Sequence, residues 1–338
     1  MKKYIVLGFA LFSINAFAQQ DTAEVEDFSM YADMDASPSK TYCTSKIIGN
    51  APSKLVSLGF DFEGPYDMKI GNGGVNNEVA YNYGLRGSAN FPVISNTKWL
   101  VNLGVNYLDH KYAFKNPSAL SNLFTQSLSE TGLRSMGANY TIFKPLNEKH
   151  FLLHQSNFDL NGDYSFTNFQ SVSTVKFQTA VLFGWKKHDR RQFAIGASRT
   201  YRGGESLIIP VVLYNYTFPN RKWGIEALVP ARAAVRYTIN SRNIILGGFE
   251  LEGASYYLGN MLKNNATIPY SQLELRRSEL RNKITYEFSV YKFIWMSLQV
   301  GYIYNYKFKV DDGGSTPVYH NKLSSPFYAN VSINLVSP

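Results

Sequence analysis

The stretch HQSN, His154 to Asn157, holds two residues whose types and spacing suit acyl-transfer chemistry. A neutral imidazole within hydrogen-bond reach of a hydroxyl can take its proton as the oxygen attacks an ester. His154 and Ser156 are two apart, so on a β-strand both project from the same face. Leu152, Phe158 and Leu160 share that face, which puts the pair on an apolar surface. The plainer reading is a polar pair near a strand end, at the level of lipid headgroups.

Metal chemistry has less to stand on. His110, His150, His154, His188 and His320 are scattered, and none pairs with another His or Cys at ligand spacing. DLNGDY (159–164) and VDDGG (310–314) read as loop turns, because neither supplies the distal Glu of an EF-hand. GNGG (71–74) lacks the strand–helix context and the Lys of a phosphate cradle. Neither a metal nor a cofactor is expected.

The elements that hold these residues announce themselves by period. In SLQVGYIYNYKFKV, Leu298, Val300, Tyr302, Tyr304, Tyr306, Phe308 and Val310 alternate with Ser297, Gln299, Gly301, Ile303, Asn305, Lys307 and Lys309. A period of two means a strand with one apolar and one polar face. The same alternation recurs at 56–63, 79–86, 99–107, 175–186, 284–290 and 327–335. Only Pro117 to Ser129 could hold a short helix. Short connections (SNTK, KPLNEKH, KKHDRRQ, PNRK, NSRN, YKFI) alternate with long ones, the layout of an outer-membrane barrel. Trp99, Tyr107, Trp185, Trp223 and Tyr304 to Phe308 lie near strand ends on the apolar face, as rings at a membrane boundary do. With no second layer to cover the sheet, hydrocarbon demands that it close. A secreted sandwich is the competing fold.

Strand number turns on Trp223 to Ile239, which keeps one parity throughout. Read as one strand it gives thirteen. A hairpin at Pro230, which has no ladder donor, gives fourteen; loss of the weak strand Phe151 to Asp159 gives twelve. The expectation is an all-β antiparallel transmembrane barrel of about fourteen strands.

Before the barrel, Lys2 and Lys3, an apolar run from Tyr4 to Phe12 and Ala16-Phe17-Ala18 make a cleavable secretory signal over 1–18. Residues 19–53 are acidic, with Asp21, Glu24, Glu26, Asp27, Asp33 and Asp35, and form a mobile or loosely docked arm. The barrel then occupies 54–336. Cys43 is the single cysteine, so no intrachain disulfide exists. The formal net charge of +9 is diffuse, with no packed basic run of a nucleic-acid reader.

By parity, Arg86, Lys176, Glu226, Arg232, Arg236, Glu287, Lys307 and Lys309 face the lumen. Cationic rings would favour anions. Alternatively, Arg232 and Arg236 pair with Glu226, Glu250 or Glu287 and fill the interior.

KWGIEALVPARAAVRYTINSRN, GASYYL and the terminal FYANVSINL resemble a family of uncharacterised bacterial outer-membrane β-barrel proteins, over roughly residues 50 to 336. That resemblance implies an architecture and no activity. It also implies outer-membrane lipid, lipopolysaccharide and the assembly machinery as partners. Separately, HQSN resembles the H-x-S-N core of the outer-membrane phospholipase A family, in which Asn168 would orient His154. Phe158-Asp159 stand where that family has Gly-Arg. The functional expectation is a passive pore or channel for small solutes, anionic ones among them, in the outer membrane. A structural barrel and a phospholipase-like hydrolase are the alternatives.

Overall fold

A computed structural model describes residues 43–71, 76–116, 123–167, 169, 171–201, 205–263, 272–312 and 317–337. The expected signal peptide, most of the acidic arm and Asn168 lie outside these residues.

The chain runs through β1 (Lys54–Glu63), β2 (Tyr66–Lys69), β3 (Asn76–Ser95), β4 (Leu100–Phe114), α1 (Leu123–Glu130), β5 (Leu133–Pro145) and β6 (His150–Gly162). It continues through β7 (Lys176–His188), β8 (Arg191–Thr200), β9 (Leu207–Thr217), β10 (Trp223–Val229), β11 (Arg232–Asn240) and β12 (Asn243–Tyr257). After α2 (Gly259–Lys263) come β13 (Glu274–Tyr291), β14 (Ile294–Asp311), β15 (Pro317–His320), β16 (Lys322–Leu323) and β17 (Phe327–Val336). Each of β3 to β14 pairs antiparallel with the next. β14 pairs with β17, β17 with β1 and β1 with β3, so fourteen strands close into a barrel. The hairpin at Pro230 supplies the fourteenth. Short strands β2, β15 and β16 extend the rim, with β2 on β3 and β16 on β2.

Alternation decides what faces out. Leu58 is 63 % exposed, Val105 57 %, Ile284 58 % and Val300 47 %, while Asp61, Ser297 and Asn334, of the opposite parity in their strands, are buried. Such a continuous apolar exterior is stable only against lipid. The ladder closes around the barrel, and strand edges are left only where β9 and β12 run on beyond the short β10–β11 hairpin. Trp99, Trp185 and Trp223 sit beside the tight turns, with the Lys144 ammonium 4.5 Å from the Trp99 ring centroid. A Lys substituted for Val300 should therefore cost about 2–4 kcal/mol if it sits at mid-bilayer depth. Urea titration of the barrel folded in vesicles measures that loss; an unchanged midpoint would contradict a lipid-facing position.

Asparagines build several of the tight turns. Asn96 Oδ1 accepts from the backbone N–H of Lys98 and Trp99 at 2.9 and 2.8 Å. Asn147 does the same for Lys149 and His150, and Asn220 for Lys222 and Trp223. Each side chain imitates a backbone carbonyl and so fixes the hairpin.

One strand departs from simple parity. Glu279 is opposite Asn305 but Ser278 is opposite Lys307, so β14 bulges at Tyr306. Beyond the bulge Phe308 and Val310 turn inward and are buried. They join Met68, Val79, Tyr112, Leu133 and Leu275 in an apolar cluster around Phe124 and Leu128 of α1. Asp163 ties α1 to α2: it accepts from the Asn260 and Met261 N–H and from the Ser127 hydroxyl, all within 2.9 Å. The end of the barrel carrying the long loops is thus filled with side chains. Sequence parity had placed Phe308 on the lipid face; the extra residue of the bulge reverses it.

Candidate functional site

Inside the barrel, acidic and basic side chains meet across strands. Asp61 and Glu63 project inward from β1, Arg86 from β3, Glu252 from β12, and Arg277, Glu279 and Arg281 from β13. Arg86 bonds Asp61 at 2.9 Å and Glu252 at 2.8 Å. Arg281 reaches Glu252 at 2.8 Å and Glu279 at 2.6 Å, with its guanidinium 4.6 Å from the Tyr328 ring centroid. Arg277 bridges Glu279 at 2.7 Å and Glu63 at 3.2 Å. Asn330 Nδ2 donates to Asp61 at 2.6 Å, and Asn82 Nδ2 to Glu63 at 3.0 Å. Desolvated charges of this kind are tolerable only when each has partners of opposite sign and its remaining lone pairs are bonded. The lattice joins β1, β3, β12, β13 and β17, and so occupies one side of the bore.

The residues expected to line a cationic lumen fall into two groups. Arg86 belongs to the lattice. Arg236, fully buried, bonds Glu226 at 2.9 Å, Thr217 at 2.8 Å and Thr238 at 2.8 Å. Gly224 makes room for it, since a Cβ there would lie 2.3 Å from Nη2 of Arg236. Glu287 takes Lys54 at 2.7 Å. Arg232 is exposed and stands opposite Glu250, whose carboxylate bonds Lys283 at 2.6 Å. In the second group, Lys176 pairs with Glu274, and Lys307 with Glu205 at 2.7 Å. Lys307 stands beyond the β14 bulge, opposite buried Ser278, at the long-loop rim. Glu205 also takes Lys309 at 3.3 Å and Arg276 at 3.2 Å. Hydrogen bonds from the two lysines hold its carboxyl down at about 2, so it is ionised and ion-paired at neutral pH.

Of the lattice, sequence reading named Arg86 and missed Asp61, Glu63, Glu252, Arg277, Glu279 and Arg281. The signal was there: Asp61 and Glu63 are two apart, as are Arg277, Glu279 and Arg281, with one sign unmatched locally in each strand. Only the register brings the signs together.

His154 and Ser156 do come together on the outer wall. Ser156 Oγ lies 3.2 Å from His154 Nε2, and Thr179 Oγ1 of β7 lies 2.9 Å from the serine and 3.0 Å from the imidazole. The Tyr140 ring stands edge-on to the imidazole at 5.3 Å, and Ser156 is 1 % exposed. Three polar groups on a lipid-facing wall satisfy one another, which accounts for all three without a reaction. On this account Ser156→Ala should leave phospholipid hydrolysis by the purified protein unchanged; a loss specific to that variant would restore the nucleophile. Among the described residues no group of three His, Cys, Asp or Glu is placed to hold a metal.

Among the described residues, cavities lie beside the ion-pair lattice. One of about 480 Å³, the largest of three, is bounded mainly by β5 to β10, touches β3, β11 and β12, and includes Gln178, Leu182, Ile209 and Leu228. A second of about 300 Å³ shares Asn157, Gln178 and Leu251 with it, and reaches Arg86, Glu252 and Arg281. A third of about 190 Å³ lies past those charges, toward Lys54 and Gln299. At the tight-turn end, residues 43–53 run against the wall. Lys186 Nζ donates to the Thr44 hydroxyl and to the Lys46 carbonyl, and Ile48 N–H donates to Asp189 O at 2.9 Å. Cys43 packs with Phe143, Phe151, Leu182, Ala194 and Val211, on the floor of the largest cavity.

The family model described as a domain of unknown function, DUF6268, matches residues 87–336, from within β3 to the end of β17. The chain belongs to this family. No curated protein matches it. Among solved structures, this DUF6268 chain is similar to the COG4313 outer membrane channel from Pseudomonas putida F1. Identity is 8 %, over 90 % of this chain and 100 % of that one, with a TM-score of 0.39. It is also similar to the P. putida toluene transporter TodX, at 11 % identity over 88 % and 96 %, TM-score 0.37. The beta domain of the Bordetella autotransporter BrkA matches at 10 % over 84 % and 100 %, TM-score 0.26.

Proposed function

We propose that this protein is an outer-membrane channel for small solutes, closed at rest. The observation that carries the reading is the string of adjoining cavities, of about 480, 300 and 190 Å³, inside a membrane barrel. A barrel that served only as scaffold gains nothing from leaving such polar space unfilled. The ion-pair lattice and the apolar cluster around α1 restrict the path, so ions pass poorly while small uncharged molecules fit the cavities. The lumen is close to neutral, because the acids cancel Arg86, Arg236, Arg277 and Arg281, and an anion preference therefore has little support.

The test is reconstitution into planar bilayers and into liposomes. Small current steps, together with liposome swelling in small uncharged solutes, are the expected result. Absence of both across independent preparations would leave the scaffold reading in its place. Lipopolysaccharide around the outer wall and delivery by the assembly machinery belong to the same proposal, supported by the apolar belt and by the expected signal peptide.

A further inference from the structure

We propose that the barrel wall has a side entrance above the β10–β11 hairpin, through which a neutral amphiphile moves between the bilayer and the largest cavity. This inference rests on the channel reading and names its route and its class of solute.

The wall is lowest at that hairpin. β10 has seven residues and β11 nine, whereas β12 has fifteen. Pairing of β9 with β10 stops at Val212 opposite Val229, so Leu207 to Val211 continue with β8 alone beside them. Pairing of β11 with β12 stops at Arg232 opposite Glu250, after which Leu251 N–H reaches Ala231 O at 2.8 Å. β12 runs on to Tyr257, where its next lateral neighbour is Gly162 of β6. Among the described residues, the wall between the upper parts of β9 and β12 therefore lacks a strand pair. Backbone left without a strand partner at membrane depth is tolerated where it lines a cavity.

A cavity does lie there. Leu207, Ile209, Val211, Leu228, Pro230 and Leu251 line one side of the 480 Å³ space. Pro230, Ala231 and Leu251 stand at the notch itself, so the space comes up to the wall where no strand pair covers it. The axial ways out are obstructed. Above, Asp163 N–H bonds Tyr257 O at 3.2 Å, which joins β6 to β12, and Glu205 straps the β8–β9 connection to β14. Below, Cys43 packs on Leu182 and Val211.

The lining chooses the solute. One side is aliphatic. The other carries Asn139, Thr141, Gln155 and Gln178, which are amides and a hydroxyl without net charge. Among the described residues the one ionised side chain at the cavity is Arg232, and Glu250 stands opposite it. An aliphatic chain with an uncharged hydrogen-bonding head meets both surfaces. A carboxylate head would lose its water for neutral partners.

The full chain in lipid nanodiscs provides the test, with monooctanoylglycerol as probe. An indole placed in the mouth by Ile209→Trp should be quenched by phospholipid brominated in its acyl chains. Monooctanoylglycerol should reverse that quenching saturably, and octanoate should need about tenfold higher concentration. Leu228→Trp, deeper in the same cavity, gives a second reporter if the first does not assemble. Quenching by aqueous iodide but not by brominated lipid would overturn the side entrance. Absence of saturable reversal, or equal potency of octanoate, would overturn the neutral amphiphile. None of these readouts needs a current, so a failed conductance experiment and a failed binding experiment are distinguishable.

Discussion

Arg281→Met is expected to lower barrel stability by about 3–5 kcal/mol and to open a cation-selective conductance. Arg281 is 3 % exposed in its side chain and bonds Glu252 and Glu279 directly, with Asp61 at 3.8 Å and Glu63 at 3.6 Å. Its removal leaves carboxylates sharing Arg86 and Arg277 as their remaining near cations. Methionine fills much of the volume but answers none of the charge. The barrel can relieve the repulsion by protonating a carboxyl or by admitting water and cations. The second response widens the path. Urea unfolding in vesicles reads the stability, and the reversal potential across a salt gradient reads the selectivity. Arg281→Lys keeps the charge and loses the two-pronged geometry, so it should fall between parent and Met. Unchanged stability in Arg281→Met would mean that the lattice is already hydrated.

Phe124→Ala is expected to cost about 3–5 kcal/mol as well, and to act at the other obstruction. Phe124 is fully buried and meets the Phe308 ring edge-on at 6.0 Å. α1 has eight residues, too few for a helix to persist in water without packing. Its position depends on Phe124 and Leu128 in the apolar cluster and on the Ser127–Asp163 bond at 2.9 Å. With the ring removed, the helix loses its main anchor, and amides at 123–130 should exchange with solvent much faster. Hydrogen exchange resolved by peptide checks that directly. Conductance should rise with it. Fast exchange with unchanged conductance would show that α1 covers the bore without sealing it.

The architecture was legible because burial in a single-layer barrel repeats with period two, and nothing else in the chain competes with that signal. Val235 and Ile284 point where alternation puts them. Pro230 marked the hairpin through its missing N–H. The bore was less legible because its pairs lie across strands: Asp61 and Glu252 come within reach of Arg281 only once the register is set. Tyr306 shows how one inserted residue defeats parity, since it sends Phe308 inward and Lys307 to the rim. The cluster around Phe124 draws on loop-side segments such as Met68 and Leu258, which carry no period to read. Of the outer-wall trio, His154 and Ser156 were visible at a spacing of two. Thr179 was not, because its place beside them is a matter of pairing between β6 and β7.

The seam between β1 and β17 has a consequence for biogenesis. Asp61 meets Tyr328 and Asn330 across more than 260 positions of sequence. Zipping neighbours together cannot complete the wall; the first-made strand must wait for the last-made one. A polypeptide cut short before Phe327 would present two raw borders to the bilayer, each with amides and carbonyls facing hydrocarbon. Insertion of the finished wall is therefore all-or-nothing, and a truncated product fails to close and gives no smaller version of the same protein.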